Sequence, residues 1–394
     1  MPLPARDATL LGFRRPNGSV GVRNCVAVIP SVFCANGVAQ RIAWSHEESV
    51  ALCHPLGCSQ VGLDLELTAR TLKGLGRNPN VAAVLVVGLG CERLSARELV
   101  DDIALTGKPV EWLSIQQEGG TTAALDKGRR LLAELVASVS GSVREPCSLR
   151  ELTVAVECGG SDGSSLIAAN PSIGAAMDLL VDHGATVVFS EVTELQGIDA
   201  AIVQRAVSLQ VADKARALLE RTRVDLVRRR DEVDGKRSAL ISRGNIEGGL
   251  TTLTEKSFGS LVKSGTRPIS AVVDYAEQVP LGPGVVLMDA PGHDAESVTG
   301  MVAGGAQVVI FSTGRGSPAG FPTAPVIKVT GNPETYARMR ENIDLDASPA
   351  LDGTMHPREM GDHILRLILE VSSGRQTAAE TLGHHELLAI WRAP

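Results

Sequence analysis

Three cysteines stand in the same local setting. Cys58, Cys91 and Cys158 each follow a short apolar run and sit beside glycine and an acid or a histidine: His54-Pro55-Leu56-Gly57-Cys58, Gly88-Leu89-Gly90-Cys91-Glu92 and Glu157-Cys158-Gly159-Gly160-Ser161-Asp162. A buried thiol usually acts as a small hydrophobe, but three in equivalent positions point to thiolate chemistry. Thiolates select zinc or iron, whereas carboxylate and amide oxygens suit magnesium or manganese. Neither a CxxC pair nor an HExxH helix is present, so no standard structural zinc site is expected. Glu191 and Glu194 (EVTE) are spaced i, i+3. In a first helical turn they share a face, where they serve as caps, as a general base or as metal ligands. His54 and His293 lie in Gly/Pro loops after apolar runs, where backbone partners are the ordinary alternative to a chemical role; His384 and His385 look peripheral. Ser312–Gly316 (STGRG) has the makings of an anion nest, with Arg315 able to fork onto a carboxylate. Lys256 and Lys328 are further cationic candidates, with a surface position as the alternative.

The elements that must position these residues are legible from pattern. Apolar runs at Val26–Ile29, Val50–Cys53, Val81–Val87, Leu152–Glu157, Thr186–Phe189, Ala271–Val273, Val285–Met288, Gln307–Phe311 and Val326–Val329 predict strands. Between them, helical periodicity covers Gly37–Ser45, Asp64–Leu75, Ala96–Ala104, Ala123–Val139, Ser172–Asp182, Asp199–Arg230, Glu255–Lys263, Ala295–Ala303 and Pro357–Val371. Continuous apolar strands separated by helices imply an α/β fold with mainly parallel sheets flanked by helices. The small, polar stretch Ser138–Ser148 (SVSGSVREPCS) divides two domains, 1–145 and 149–394. The charged run Val224–Asp234 reads as a solvated helix end. Almost every cluster of glycine, cysteine and polar residues directly follows a strand. A parallel sheet puts its carboxyl ends on one edge, and ligands bind there, at switch points of strand order. Glycines let backbone approach a small ligand and present N–H groups to its anionic oxygens. The distribution is that of an enzyme.

Composition narrows the classes. The 394 residues carry 38 Lys+Arg against 45 Asp+Glu, a net charge of 38 − 45 = −7, with only 3% aromatics. An acidic, ring-poor chain is a poor nucleic-acid binder. Apolar residues at 44% suit a globular protein with a core of Val, Leu, Ile and Ala. The longest apolar stretch, the eleven residues Val81–Cys91, falls short of the ~20 that span a bilayer. No secretory signal pattern opens the chain. Seven cysteines in a chain of this length read as free thiols of a reducing cytoplasm.

Taken in order, the motifs resemble the altronate/galactarate dehydratase family over almost the whole chain. The resemblance runs from Gly12-Phe13-Arg14-Arg15-Pro16-Asn17-Gly18 with Val22-Arg23-Asn24 through the Cys58 loop, Asn78-Pro79-Asn80-Val81 and the Cys91 loop. It continues with Cys158–Asp162, Ala169-Asn170-Pro171, Ser190-Glu191 with Glu194, Gly244-Asn245 with Gly248-Gly249, and Lys256-Ser257. Asp289-Ala290-Pro291-Gly292-His293-Asp294 with Thr299-Gly300, Thr313–Gly316 and Lys328 complete it. His293 stands where the family often has an aromatic residue. Full-length relatives carry an antifreeze-like (SAF) domain ahead of this region. With Met1 only eleven residues before Gly12, the resemblance implies a large subunit working with a separate small SAF subunit, as in the related sulfolactate sulfo-lyase. Retention of Gly57-Cys58 and Gly90-Cys91-Glu92 favours a sugar-acid dehydratase over that sulfo-lyase.

The resemblance implies metal-dependent loss of water from an aldonate or aldarate, giving a 2-keto-3-deoxy acid. Such a reaction needs a base for the α-proton, an acid for the leaving hydroxyl and charge stabilisation for the enolate. The expected metal is Fe(II), with Mn(II) second, held near Cys58, Cys91, Cys158 and His54. Glu191 or Glu194 is the expected base and His293 or Lys256 the acid. Asn170, Asn245, Thr313, Arg315 and Lys328 are expected to bind substrate. A homo-oligomer is also expected. The alternatives are a sulfo-lyase that expels sulfite from the same enolate and a non-catalytic sugar-acid binding protein.

Overall fold

The computed structural model describes residues 9–228 and 240–392. Its N-terminal part opens with a short ribbon, β1 (Thr9–Arg14) and β2 (Val20–Gly21), followed by β3 (Cys25–Pro30), α1 (Asn36–Ala43), β4 (Ser49–Ala51), α2 (Gly62–Arg77), β5 (Val81–Gly88), α3 (Ala96–Ala104), β6 (Val110–Ser114) and α4 (Thr121–Val139). Strands β3 to β6 form a parallel sheet in the order β4-β3-β5-β6. Alternate residues serve opposite faces: Val26, Val28, Ala83 and Leu85 pack with α1 and α4, while Ala27, Ile29, Val84 and Val86 pack with α2 and α3. Burial on both faces is why β5 reads as an unbroken apolar run.

After α4 the chain forms β7 (Glu145–Ser148), which pairs antiparallel with β1. The stretch expected to be a linker is thus partly a strand, closing a three-stranded sheet β2-β1-β7. The second part runs β8 (Thr153–Cys158), α5 (Asn170–Asp182), β9 (Thr186–Phe189), α6 (Asp199–Gln204), α7 (Leu209–Arg228), α8 (Arg243–Glu247), α9 (Leu253–Val262), β10 (Ile269–Val273), β11 (Gly284–Met288), α10 (Asp294–Ala303), β12 (Val308–Ser312), β13 (Val326–Thr330), α11 (Pro333–Arg338), β14 (Leu345–Asp346) and α12 (Pro357–Ser372). Seven parallel strands lie in the order β10-β11-β9-β8-β12-β13-β14. The helix expected over 199–230 is broken at 205–208 into α6 and α7; positions 229–234 of the charged run lie outside the described residues. No described helix is long and apolar enough to cross a membrane.

Helices α2 and α10 join the two halves between the sheets. At one end a Cβ on Gly74 would lie 2.3 Å from the Ala303 carbonyl oxygen, so only glycine permits the approach. There Asn78 also donates to the carbonyls of Val302 and Ala306. At the other end, Asp64 of α2 pairs with Arg392, and neighbouring Trp391 packs edge-on against Tyr275, whose hydroxyl bonds Glu296 in the first turn of α10. The two helices therefore run side by side in the same direction. Each runs against the strands of its own sheet, so the carboxyl edges of both sheets face the same side.

Candidate active site

Beyond β9 the chain does not begin a helix. Glu191 is fully buried with φ at 64°, in the left-handed region that non-glycine residues avoid, and leads into a single 3₁₀ turn, Val192–Glu194. The amide of Glu194 donates to the carbonyl of Glu191 (2.7 Å), and that of Val192 to Ala290 beyond β11. The first turn expected for the i, i+3 spacing is thus 3₁₀ rather than α-helical. Both carboxylates meet α9, whose Lys256 and Ser260, with Lys263 just past its end, recur at i, i+4, i+7 along one face.

Lys256 Nζ lies 2.8 Å from Glu194 Oε1 and also donates to the Leu240 carbonyl (2.9 Å). Glu194 Oε2 is buried and has no hydrogen-bond partner among the described residues. Burial pushes the Glu194 carboxyl up to about 7, against the opposing pull of Lys256. Burial works to lower the Lys256 ammonium, but the Glu194 charge outweighs it and the net shift is upward. One rung along, Lys263 pairs with Glu191, both with no exposed side-chain surface. Lys263 also donates to Ser260 Oγ (2.8 Å) and Cys158 Sγ (3.2 Å), and the thiol reaches Glu191 Oε1 (3.3 Å). Burial raises the Cys158 thiol, with Lys263 opposing.

The last turns of β8 and the first of α10 complete the cluster. Glu157 is fully buried, accepts from the Ser297 hydroxyl, and is pushed up to about 8, chiefly by desolvation, with Lys263 opposing and Asp294 adding to the rise. Ser190 and Ser297 hydroxyls lie 2.6 Å apart. Asp294 at the start of α10 is likewise raised by burial. A Cβ on Gly159 would lie 2.1 Å from Asp294 Oδ2, which is why the residue after Cys158 is glycine.

Strand order reverses between β8 and β12, and the loops after them face each other there. The Arg315 amide donates to the Gly160 carbonyl (2.9 Å). Asp162 accepts from Ser164 Oγ (2.6 Å), the Ser165 amide (2.9 Å) and Asn332 Nδ2 (2.9 Å). Gly314 packs so tightly on Asp162 that a Cβ would lie 2.1 Å from its carboxylate. Asn245 donates to the Ser161 carbonyl, and Asn170 to that of Gly259 while its buried Oδ1 stays unpartnered among the described residues. Thr313 accepts from the Gly316 amide, and Arg315 reaches Glu247 (3.4 Å). Of the expected substrate-binding residues, Asn245, Thr313 and Arg315 thus meet the loop after β8, and Asn170 lies against Gly259 of α9.

Comparison with known proteins identifies the family. Residues 12–140 match D-galactarate dehydratase/altronate hydrolase, second domain, and residues 149–394 match D-galactarate/altronate dehydratase, C-terminal. The chain belongs to the galactarate/altronate dehydratase family. As a member of this family it is a lyase. It is 41% identical over 384 residues to (2R)-sulfolactate sulfo-lyase subunit beta of Chromohalobacter salexigens, covering 97% of each chain. It is 34% identical over 405 residues to altronate dehydratase of Bacillus subtilis, spanning 100% of this chain and 79% of that one. It is 34% identical over 412 residues to galactarate dehydratase (L-threo-forming) of Escherichia coli, spanning 99% and 78%.

Among the described residues, Cys58, Cys91, Cys158 and His54 are not grouped as a metal shell. Among the described residues, no three His, Cys, Asp or Glu side chains come together in a way that could hold a metal ion. Cys158 is buried between Glu191 and Lys263, whereas Cys58 and Cys91 are exposed on loops of the N-terminal sheet. His54 is buried with both ring nitrogens engaged: Nε2 meets the Pro30 carbonyl (2.8 Å) and Nδ1 accepts from the Leu56 amide (3.2 Å). It has no lone pair left for a cation. Lys328 turns elsewhere; its ammonium holds the carbonyls of Pro318 and Ala319, and burial brings it down to about 8. His293 is 67% exposed on the rim, 3.8 Å from Glu296, outside the buried cluster. Lys263, Glu157, Ser260 and Ser297 were not among the expected site residues. Lys263 closes a helix in the sequence and looks like an ordinary solvated C-terminal charge; the seven-residue interval from Lys256 was the available signal.

Proposed function

We propose that this chain catalyses β-elimination from a 2-hydroxy acid, dehydrating an aldonate or aldarate to a 2-keto-3-deoxy acid, with Glu194 as the base. The observation that supports it is the unpartnered Oε2 of Glu194, buried at the carboxyl edge while Lys256 holds Oε1. A carboxyl near pH 7 is well matched to proton abstraction at neutral pH. Glu194 takes the C2 proton, the C–H electron pair forms the C2–C3 double bond, and the C3 hydroxyl leaves. Glu157, whose carboxyl burial raises to about 8, is the acid that supplies the proton turning the leaving hydroxyl into water. The enol then becomes the 2-keto acid. Lys256 offsets the charge that builds on the enolate, and Arg315 with the loop amides at the switch point receives the substrate carboxylate. The four expected ligands do not converge, so no step is assigned to Fe(II) or Mn(II).

A second reading has its own support. The alignment to the sulfo-lyase subunit beta covers 97% of both chains, whereas the dehydratases are longer than the matched region. In that reading the same enolate expels sulfite, which needs no proton to leave. That relative's designation as a subunit also supports a separate small partner, for which the SAF type is proposed. The deciding experiment incubates the protein, with and without such a subunit, with aldonates, aldarates and sulfolactate. Release of 2-keto acid from a sugar acid supports dehydration. Release of sulfite supports the second reading, and inactivity with every substrate in both preparations overturns the elimination reading.

A further inference from the structure

Helix α9 presents a polar stripe of three residues to one turn. Lys256 pairs with Glu194, Lys263 pairs with Glu191, and Ser260 between them donates to Glu191 Oε2 (3.2 Å) while accepting from Lys263 (2.8 Å). The two rungs differ in what they touch. The Lys256–Glu194 rung leaves an open carboxylate oxygen; the Lys263–Glu191 rung is closed on every side by Ser260 and Cys158. Glu191 is also the residue whose backbone is left-handed, at φ 64°, a conformation that persists only where surroundings impose it. Because the Glu194 amide bonds the Glu191 carbonyl, the setting of Glu191 fixes where Glu194 points.

We propose that Lys263, with Ser260 and Cys158, is a positioning device for the reaction: it clamps the Glu191 carboxylate, holds the left-handed turn, and thereby sets Glu194 against Lys256 with Oε2 unpaired. Lys263 does not touch the substrate in this scheme. The inference rests on Glu194 as base, and it gives a role to a fully buried lysine at the end of α9 paired with a fully buried glutamate at the start of the turn. A buried ion pair adds little net stability over apolar residues of the same shape, whereas a misaimed base costs turnover directly, about a hundredfold for an ångström of displacement.

The test compares Lys263→Met, the charge-balanced double variant Lys263→Met/Glu191→Gln, and Ser260→Ala, each assayed for kcat and KM on the best substrate of the screen. Lys263→Met alone strands a buried carboxylate and can fail to fold. The double variant removes that charge, and Ser260→Ala keeps both charges in place. A clamp predicts that the double variant folds with KM within about twofold of wild type but kcat down about a hundredfold, and that Ser260→Ala lowers kcat severalfold with KM unmoved. A folded double variant with wild-type kcat makes Lys263 a counter-ion only and overturns the proposal, as does a Ser260→Ala protein with unchanged kcat. Glu194→Gln run alongside separates the two readings: if it retains full activity the base assignment falls, whereas its loss together with a fully active double variant sinks the clamp alone.

Discussion

The two parallel sheets present the same kind of carboxyl edge and use it in opposite ways. On the N-terminal edge the polar groups are consumed internally. Glu92 accepts from Ser31 Oγ (2.6 Å) and the Leu89 and Gly90 amides, and His54 spends both nitrogens on backbone. Cys58 and Cys91 stay exposed, Cys91 accepting only from Gln116 (3.4 Å). On the C-terminal edge Glu157, Glu191, Glu194 and Lys263 are taken out of water together, and of the three carboxylates only Glu194 keeps an oxygen, Oε2, without a partner among the described residues. Desolvating charge is costly unless it is paired, so an edge that buries four ionisable groups and leaves a carboxylate oxygen unpaired is where the chemistry is expected. An edge whose acids and imidazole are already bonded holds loops.

That contrast can be broken in several places. The largest effect is expected for Lys256→Met. Removing the cation that holds Glu194 should lower kcat about a hundredfold and move the ascending limb of the pH profile to higher pH, because Lys256 opposes the upward shift of Glu194. Steady-state rates across pH check both. On the other edge, His54→Gln should unfold more easily by about 1–3 kcal/mol, since the Leu56 amide and Pro30 carbonyl lose their buried partner. Denaturant titration measures it, and kcat per folded molecule should change little.

A third prediction concerns pH. Glu194 and Glu157 are raised from 4.5 to about 7 and about 8 in the folded protein. Between these values and 4.5 the folded state binds protons that the unfolded state has released, so their contribution to stability is full below about 4.5 and is lost as pH rises through about 7 to 8. Turnover, which needs ionised Glu194, should rise over the same window. Unfolding free energies at pH 5 and pH 8 should therefore show a downward slope that Glu157→Gln and Glu194→Gln each flatten. The smallest effect is expected for Cys58→Ser with Cys91→Ser, which should leave kcat within about twofold, because neither thiol reaches the buried cluster. A loss of turnover above tenfold would show that the N-terminal edge joins the reaction.

The fold was largely legible because its signal is periodic. Nine apolar runs mark strands that exist, and motifs following them do lie on the carboxyl edges. What escaped was set by contacts that no local pattern carries. β7 reads as a linker because Glu145-Pro146-Cys147-Ser148 has no apolar run; it is a strand only through its partner β1. The spacing of Glu191 and Glu194 suggests a first α-helical turn, yet the segment is a 3₁₀ turn opened by a left-handed Glu191, with both carboxylates against α9. His54 looks like a ligand until its backbone partners are seen. Glu157 ends a strand, where alternation gives no hint that a carboxyl is fully buried there.

The most direct test is kcat/KM from pH 5 to 9 for wild type and Glu194→Gln. The wild type should rise through the ionisation of Glu194 near pH 7, and the variant should keep no more than about a hundredth of the rate with no such limb. A Glu194→Gln enzyme that retains both the rate and the limb would contradict the assignment of this carboxylate as the base.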